Sequence, residues 1–158
     1  MKDGVITIYT DGAARGNPGK AGWGVVVIHG DNVHELGGRT DHATNNQMEL
    51  TAAIEGLKYI KSKISRATLD ISVEVFADSK YVINGVNEWI HNWLKNNWRT
   101  ATNKPVLNQE LWQELHALNQ SVHPVWHYVK GHNGDRWNDR ADLIATSFAD
   151  GEPVELKK

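Results

Sequence analysis

Val5 to Val27 constrains this chain more than any other stretch: Val-Ile-Thr-Ile-Tyr-Thr-Asp-Gly, a run rich in glycine, proline and asparagine, then Gly-Trp-Gly-Val-Val-Val. The β-branched and aromatic residues of Val5 to Thr10 suit a buried strand, and Gly22 to Ile28 repeats that character. The two segments read as paired strands joined by a broad glycine loop. Asp11 then falls at the C-terminal tip of the first strand, where open α/β sheets place their chemistry.

A turn at His29 to Asn32 and a third strand over Val33 to Gly38 complete an antiparallel meander. From Thr44 the period changes. Leu50, Ala53, Ile54, Leu57 and Ile60 recur at helical spacing, and Thr44 with Gln47 forms a capping-box pair. Glu49 sits near the start of this helix, above a small apolar stripe of Ala53, Gly56 and Ile60 that suits close packing on a sheet. Ile71 to Ala77 is a fourth strand, followed by Asp78-Ser79 and a helix over Lys80 to Asn87. The strand-helix-strand order favours a parallel crossover, and pairing of the fourth strand with the first brings Asp78 beside Asp11.

Trp89 to Trp98 reads as a helix and loop with more aromatics than a core needs. Asn108 to Leu118 is an amphipathic helix and Val125 to Val129 a fifth strand. Gly131 to Gly134 forms a loop carrying His132, and a last helix from about Asn138 bears Asp142. The fold class is therefore α/β: a five-stranded mixed sheet, three antiparallel strands and then parallel ones, flanked by helices. A length of 158 residues suits one domain, taken as 1–150, with 151–158 expected to fray.

Asp11, Glu49, Asp78 and Asp142 each lie at a strand end or early in a helix, and this topology converges them on one sheet edge. Crowded carboxylates raise their pKa values or bind a cation. With no cysteine in the chain, disulfides and thiolate ligands are excluded, and an all-oxygen set suits Mg²⁺ or Mn²⁺. Two such ions about 3.5–4 Å apart support phosphodiester hydrolysis. Singly, each acid has a structural reading too: Asp11-Gly12 as a turn, Asp78 beside a helix cap, Glu49 and Asp142 as complements to helix dipoles.

His132 is a candidate proton shuttle. Trp89, Trp93 and Trp98 suit stacking on sugars or bases, with Lys95, Arg99 and Lys104 meeting phosphates, or else a small satellite core. The net charge of −2 carries no overall polyanion-binding footprint, so a nucleic-acid reading rests on these local features. Gly16 to Lys20 lacks P-loop spacing and precedes a strand, which argues against a nucleotide cofactor. No apolar run approaches the ~20 residues of a membrane helix, and the N-terminus lacks a secretory pattern. The expectation is a cytoplasmic protein, monomeric by default, with no membrane partner.

Together these motifs resemble type 1 ribonuclease H in its bacterial form. The resemblance rests on Tyr9-Thr-Asp-Gly-Ala-Ala-Arg-Gly-Asn-Pro-Gly19, Thr44-Asn-Asn-Gln-Met-Glu-Leu-Thr-Ala-Ala53, Asp78-Ser-Lys-Tyr-Val82, Trp89-Ile-His-Asn-Trp93, and Val129-Lys-Gly-His132 with Asn138-Asp-Arg-Ala-Asp142. It implies the ribonuclease H-like fold and cleavage of the RNA strand of RNA–DNA hybrids, leaving 5′-phosphate and 3′-hydroxyl ends. It also implies Asp11, Glu49, Asp78 and Asp142 as metal ligands, with Mg²⁺ as cofactor and Mn²⁺ as a substitute, and His132 as a helper in proton transfer or product release.

Asn17, Asn45, Asn46 and Gln47 match minor-groove contacts that sense the 2′-hydroxyl. Thr44 matches a DNA-phosphate contact, Trp89 the aromatic on the deoxyribose side, and Lys80 and Trp93 fall among the substrate-binding residues. Trp89 to Pro105 resembles the substrate-binding protrusion, or handle, of bacterial members, and no separate hybrid-binding domain is expected. A DNA-directed nuclease of the same fold and a non-catalytic hybrid-binding module are the alternatives.

One departure from the family pattern has a measurable effect. The handle is usually dense in Lys and Arg, whereas here Leu94, Asn96, Asn97, Thr102 and Asn103 dilute it to Lys95, Arg99 and Lys104. Hybrid binding should be weaker, with a shallower dependence on salt, than in a basic-handled relative. Equal slopes in side-by-side titrations would refute this.

Overall fold

The computed structural model describes residues 4–63, 71–130 and 135–158. Five strands, β1 (Val5–Gly16), β2 (Gly19–His29), β3 (Asn32–Ala43), β4 (Ser72–Ala77) and β5 (Val125–Tyr128), form one sheet in the order β3-β2-β1-β4-β5. The first three pair antiparallel, and β4 joins β1 and β5 in parallel, as expected. Helix α1 (Asn45–Lys63) packs on one face and α5 (Arg136–Ala149) on the other. The alternation of β1 divides the core accordingly: Ile8 joins Leu50, Leu57 and Trp112 on the α1 side, while Tyr9 joins Val26, Ala141 and Ile144 on the α5 side.

The broad glycine loop does not exist. β1 and β2 stay paired out to Arg15 opposite Lys20 and Gly16 opposite Gly19, leaving only Asn17-Pro18, joined by a cis peptide, at the tip. The glycines serve helix packing instead. A Cβ on Gly24 would meet the Ala141 carbonyl oxygen at 2.5 Å, and one on Gly22 would meet the Ala149 nitrogen at 2.6 Å, so α5 lies almost directly on the β2 backbone. On the opposite face a Cβ on Gly12 would meet the backbone of Met48 and Glu49 at 2.5 Å.

The capping box holds as the sequence predicts: Thr44 N–H donates to Gln47 Oε1 at 2.9 Å and Gln47 N–H to Thr44 Oγ1 at 3.1 Å. The expected helix over Lys80 to Asn87 is instead three consecutive pieces, α2 (Lys80–Asn84), a π-helical turn (Gly85–Trp89) and α3 (Ile90–Lys95). Gly85 abuts the ring of Trp112, which lies on α4 (Gln109–Val122) and leaves no room for a side chain there. Trp89 and Trp93 surround that same ring, with centroids 6.4 and 5.3 Å away, and Trp98 stacks behind Trp93 at 6.0 Å. The aromatics read as surplus thus belong to the core, although each keeps a half-buried outer face.

The tail expected to fray is docked. Glu35 on β3 is only 3% exposed and receives Arg140 of α5 through two bonds of 2.7 and 2.9 Å. Its carboxylate also accepts the Lys157 N–H at 2.8 Å, its own N–H donates to the Lys157 carbonyl, and Arg140 bonds the Glu155 carbonyl. Val154 and Leu156 pack on the α5-side core. The buried carboxylate anchors a segment that has no periodicity of its own.

These bonds to Arg140 and Lys157 hold the Glu35 carboxyl below the usual carboxylate range. Its stabilising contribution is therefore present above that range and is lost as pH falls through the folded-state value. Glu35→Ala should cost about 3 kcal/mol in denaturant unfolding at neutral pH, because it leaves Arg140 without its partner. The gap to the unsubstituted protein should narrow in acid.

Candidate active site

Asp11 is the residue after Thr10, and Asp78 the residue after Ala77; Thr10 and Ala77 are the last pair of the parallel β1–β4 ladder. Where that ladder ends, both carboxylates leave the sheet together. Asp11 lies within β1 rather than at its tip, because β1 continues into the hairpin. Glu49 reaches it from α1, which the bare Gly12 admits close to the strand. Oxygens of Asp11, Glu49 and Asp78 lie within 4.8 Å of one another. Asp142, on α5, comes close enough to Asp11 to raise its carboxyl. The four acids singled out in the sequence come together, Asp11, Glu49 and Asp142 from β1, α1 and α5 and Asp78 from the turn after β4.

Burial pushes the Asp11 carboxyl up to about 11, reinforced by repulsion from Glu49 and Asp78 and by the Asp142 contact. The Glu49 carboxyl is raised as well, first by burial and then by Asp78, and the Gly12 N–H offsets this only in part. Gly12 N–H also donates to Asp11 Oδ1 at 2.9 Å. Glu49 Oε1 is buried without a hydrogen-bond partner among the described residues. An orphaned buried acceptor among crowded acids leaves a cation as the missing partner. The Asp11, Glu49 and Asp78 trio can hold one, and the donor set is entirely oxygen.

The family model for RNase H matches residues 3–150. The chain belongs to the ribonuclease H family. It is 51% identical over 154 residues to the "Ribonuclease H" of Thermosynechococcus vestitus strain BP-1, covering 97% of this chain and 94% of that one. Among solved structures it resembles LC9-RNase H1, a type 1 RNase H with the type 2 active-site motif, with a TM-score of 0.81 and 25% identity across 99% of this chain and 76% of the other. It also resembles LC11-RNase H1, solved in complex with RNA/DNA hybrid, with a TM-score of 0.69 and 27% identity over 92% and 97% of the two chains.

This ribonuclease H gathers its other sequence-predicted residues in two groups. Asn17, at the hairpin tip, accepts the Asn45 N–H on Oδ1 at 3.0 Å, so the hairpin and the N-terminus of α1 form one exposed ridge with Thr44, Asn46 and Gln47. Trp89 and Trp93 sit at the handle's root. Lys95 and Lys104 are exposed, and Arg99 donates to the Asn103 carbonyl at 3.1 Å across its own loop. Lys80 belongs to neither group, its ammonium 5.6 Å from the Tyr128 ring centroid. His132 lies outside the described residues.

Asn108 is the residue that sequence reasoning did not single out. Held at φ 60° ahead of α4, it accepts from Gln47 Nε2 at 3.4 Å and donates to the Tyr81 hydroxyl at 3.1 Å, which also accepts from Trp112 Nε1 at 3.0 Å. It joins the ridge to the handle's root. An asparagine before an amphipathic helix signals only a helix start, so the sequence offered no sign of this link.

Protonated in the folded chain up to about 11, Asp11 lowers stability as pH rises from its ordinary value of 3.8, since the unfolded chain loses that proton first. Without divalent metal at mildly alkaline pH, Asp11→Asn should therefore unfold at a higher temperature than the unsubstituted protein. Added divalent cation should raise the melting temperature of the unsubstituted protein and leave the variant nearly unmoved.

Proposed function

We propose that this protein hydrolyses the RNA strand of RNA–DNA hybrids, with Asp11, Glu49, Asp78 and Asp142 holding Mg²⁺ and Mn²⁺ able to replace it. The observation that carries the reading is the carboxylate cluster with the orphaned Glu49 Oε1, set beside the Asn17–Asn45 ridge. The LC11-RNase H1 complex with hybrid supports the choice of substrate. When bound, such ions activate water and stabilise the leaving oxygen.

The chain's own residues do the rest. β1 and β4 fix Asp11 and Asp78 side by side through the sheet ladder, and α1 and α5 deliver Glu49 and Asp142. The asparagines and Gln47 of the ridge read the minor groove, where a 2′-hydroxyl marks the RNA strand. The half-buried faces of Trp89 and Trp93 pack on the DNA strand's sugars, Thr44 meets a phosphate of that strand, and Lys80, Lys95, Arg99 and Lys104 add phosphate contacts. His132 assists proton transfer or product release. The products carry 5′-phosphate and 3′-hydroxyl ends.

No helix among the described residues is long and apolar enough to cross a membrane. A monomer at work in the cytoplasm is part of the proposal, supported by a cysteine-free composition that suits a reducing compartment.

End-labelled hybrid, duplex RNA, single-stranded RNA and duplex DNA, each incubated with Mg²⁺ or chelator, test the proposal. Metal-dependent cutting confined to the hybrid's RNA strand is expected. Asp78→Asn should abolish it, by at least about a hundredfold, with the fold retained. Cutting of DNA would move the function to a DNA-directed nuclease, and hybrid binding without cutting to a binding module.

A further inference from the structure

The acid cluster is one end of a longer arrangement. On β1, Asp11, Ala13 and Arg15 alternate with residues facing α1 and so share the α5 face. On α5, Asp142, Thr146 and Asp150 recur every four residues and so share one side of the helix. These two rows meet at both ends. Asp11 contacts Asp142 at one, and at the other Arg15 grips Asp150 in a fork, Nε to Oδ1 at 2.6 Å and Nη2 to Oδ2 at 2.9 Å. The spans agree, about 13 Å for four strand residues and about 12 Å for eight helical ones. Arg15 is thus held on the same face as the acid cluster, a few nucleotides' reach away.

The surroundings of Arg15 suit an anion from outside the chain as well as a carboxylate of its own. Its direct cross-strand partner is Lys20, a like-charged neighbour that an isolated hairpin would disfavour. Arg39 on β3 lies opposite Gly22 and close to Gly151, and pairs with the highly exposed Asp41. Arg15, Lys20 and Arg39 thus stand within a few rungs of one another on three adjacent strands, in a chain whose net charge is −2 and whose handle is poor in cations. Arg15 and Asp150 are both about half exposed, at 50% and 48%. A pair so open to solvent adds little to stability, so exchanging its partner is cheap. A guanidinium fork that accepts a carboxylate accepts a phosphate in the same geometry.

We propose that Arg15 is a substrate contact: on hybrid binding its guanidinium leaves Asp150 and takes a backbone phosphate of the RNA strand, Asp150 standing in for that phosphate in the free protein. This rests on the hybrid-cleaving function proposed above. The competing account is a brace, in which the pair only ties β1 to α5 and so steadies Asp11 against Asp142. The two accounts predict opposite effects of removing Asp150.

Steady-state cleavage of a hybrid over a range of salt concentrations, with melting temperatures measured alongside, separates them. Arg15→Ala should raise KM about three- to tenfold with kcat held within about twofold. It should also reduce the salt slope by about one. Arg15→Lys should keep the slope while losing part of the affinity, and it carries the readout if the alanine variant does not fold. Asp150→Asn should lower KM, and this gain should vanish when Arg15→Ala is added. An unchanged KM and slope in Arg15→Ala, a gain from Asp150→Asn that persists without Arg15, or a parallel loss of kcat in both single variants would overturn the proposal. If the unsubstituted protein cleaves hybrid, such a result removes this inference alone; if it does not, the hybrid reading falls first and takes the inference with it.

Discussion

Two helices reach Asp11 only because the strands beneath them lack side chains where they cross. Gly12 lets the backbone of α1 approach β1 at Glu49, and Gly22 and Gly24 let α5 settle on β2 beside Asp11, which pairs with Gly24. A methyl group at any of the three would push a helix outward and carry Glu49 or Asp142 away from the cluster. The site is therefore a product of close packing before it is a product of charge.

That packing sets up an electrostatic conflict. Asp11 and Glu49 are buried beside Asp78, and both carboxyls rise in response. A fold selected for stability alone would not place acids in this way; a cation site must, because the desolvation that penalises the bare carboxylates is what makes a divalent ion a strong partner. The rest of the sheet offsets the cost with apolar layers on both faces, and on the outer side with a satisfied buried pair, Glu35 and Arg140, that also ties down the C-terminal segment.

The ridge and the handle are continuous with this framework rather than appended to it. Asn17 bonds the first turn of α1, Gln47 completes the capping box and touches Asn108, and Asn108 bonds Tyr81 at the base of the tryptophan cluster. Local caps that the backbone requires at helix starts thus double as the connection between the two regions proposed to meet substrate. Trp112 is fully buried at the centre of the cluster, and the π-helical turn at Gly85 exists to accommodate it.

Local patterns made much of this legible. Strand alternation, the helical period after Thr44, the Thr44–Gln47 capping box and the position of Glu49, Asp78 and Asp142 near an element's end all depend on neighbours in sequence, and the sheet order and the convergence of Asp11, Glu49 and Asp78 followed from them. Contacts that close between distant segments were not legible. Glycines composed like a loop proved to be paired strand, since their reason for being glycine lies on helices over thirty or a hundred residues away. A tail without periodicity proved to be docked through Glu35, and of the two readings open for the tryptophans the structure took the packed one, in which they enclose Trp112. Arg15 and Asp150 are 135 residues apart, and only the packing of α5 along β1 joins them. The sequence by itself determined the five strands, the principal helices and the placing of the acids near one sheet edge, because propensity, period and capping act over a few residues; the tertiary structure alone decided what each helix rests on, because close approach and ion pairing act through space.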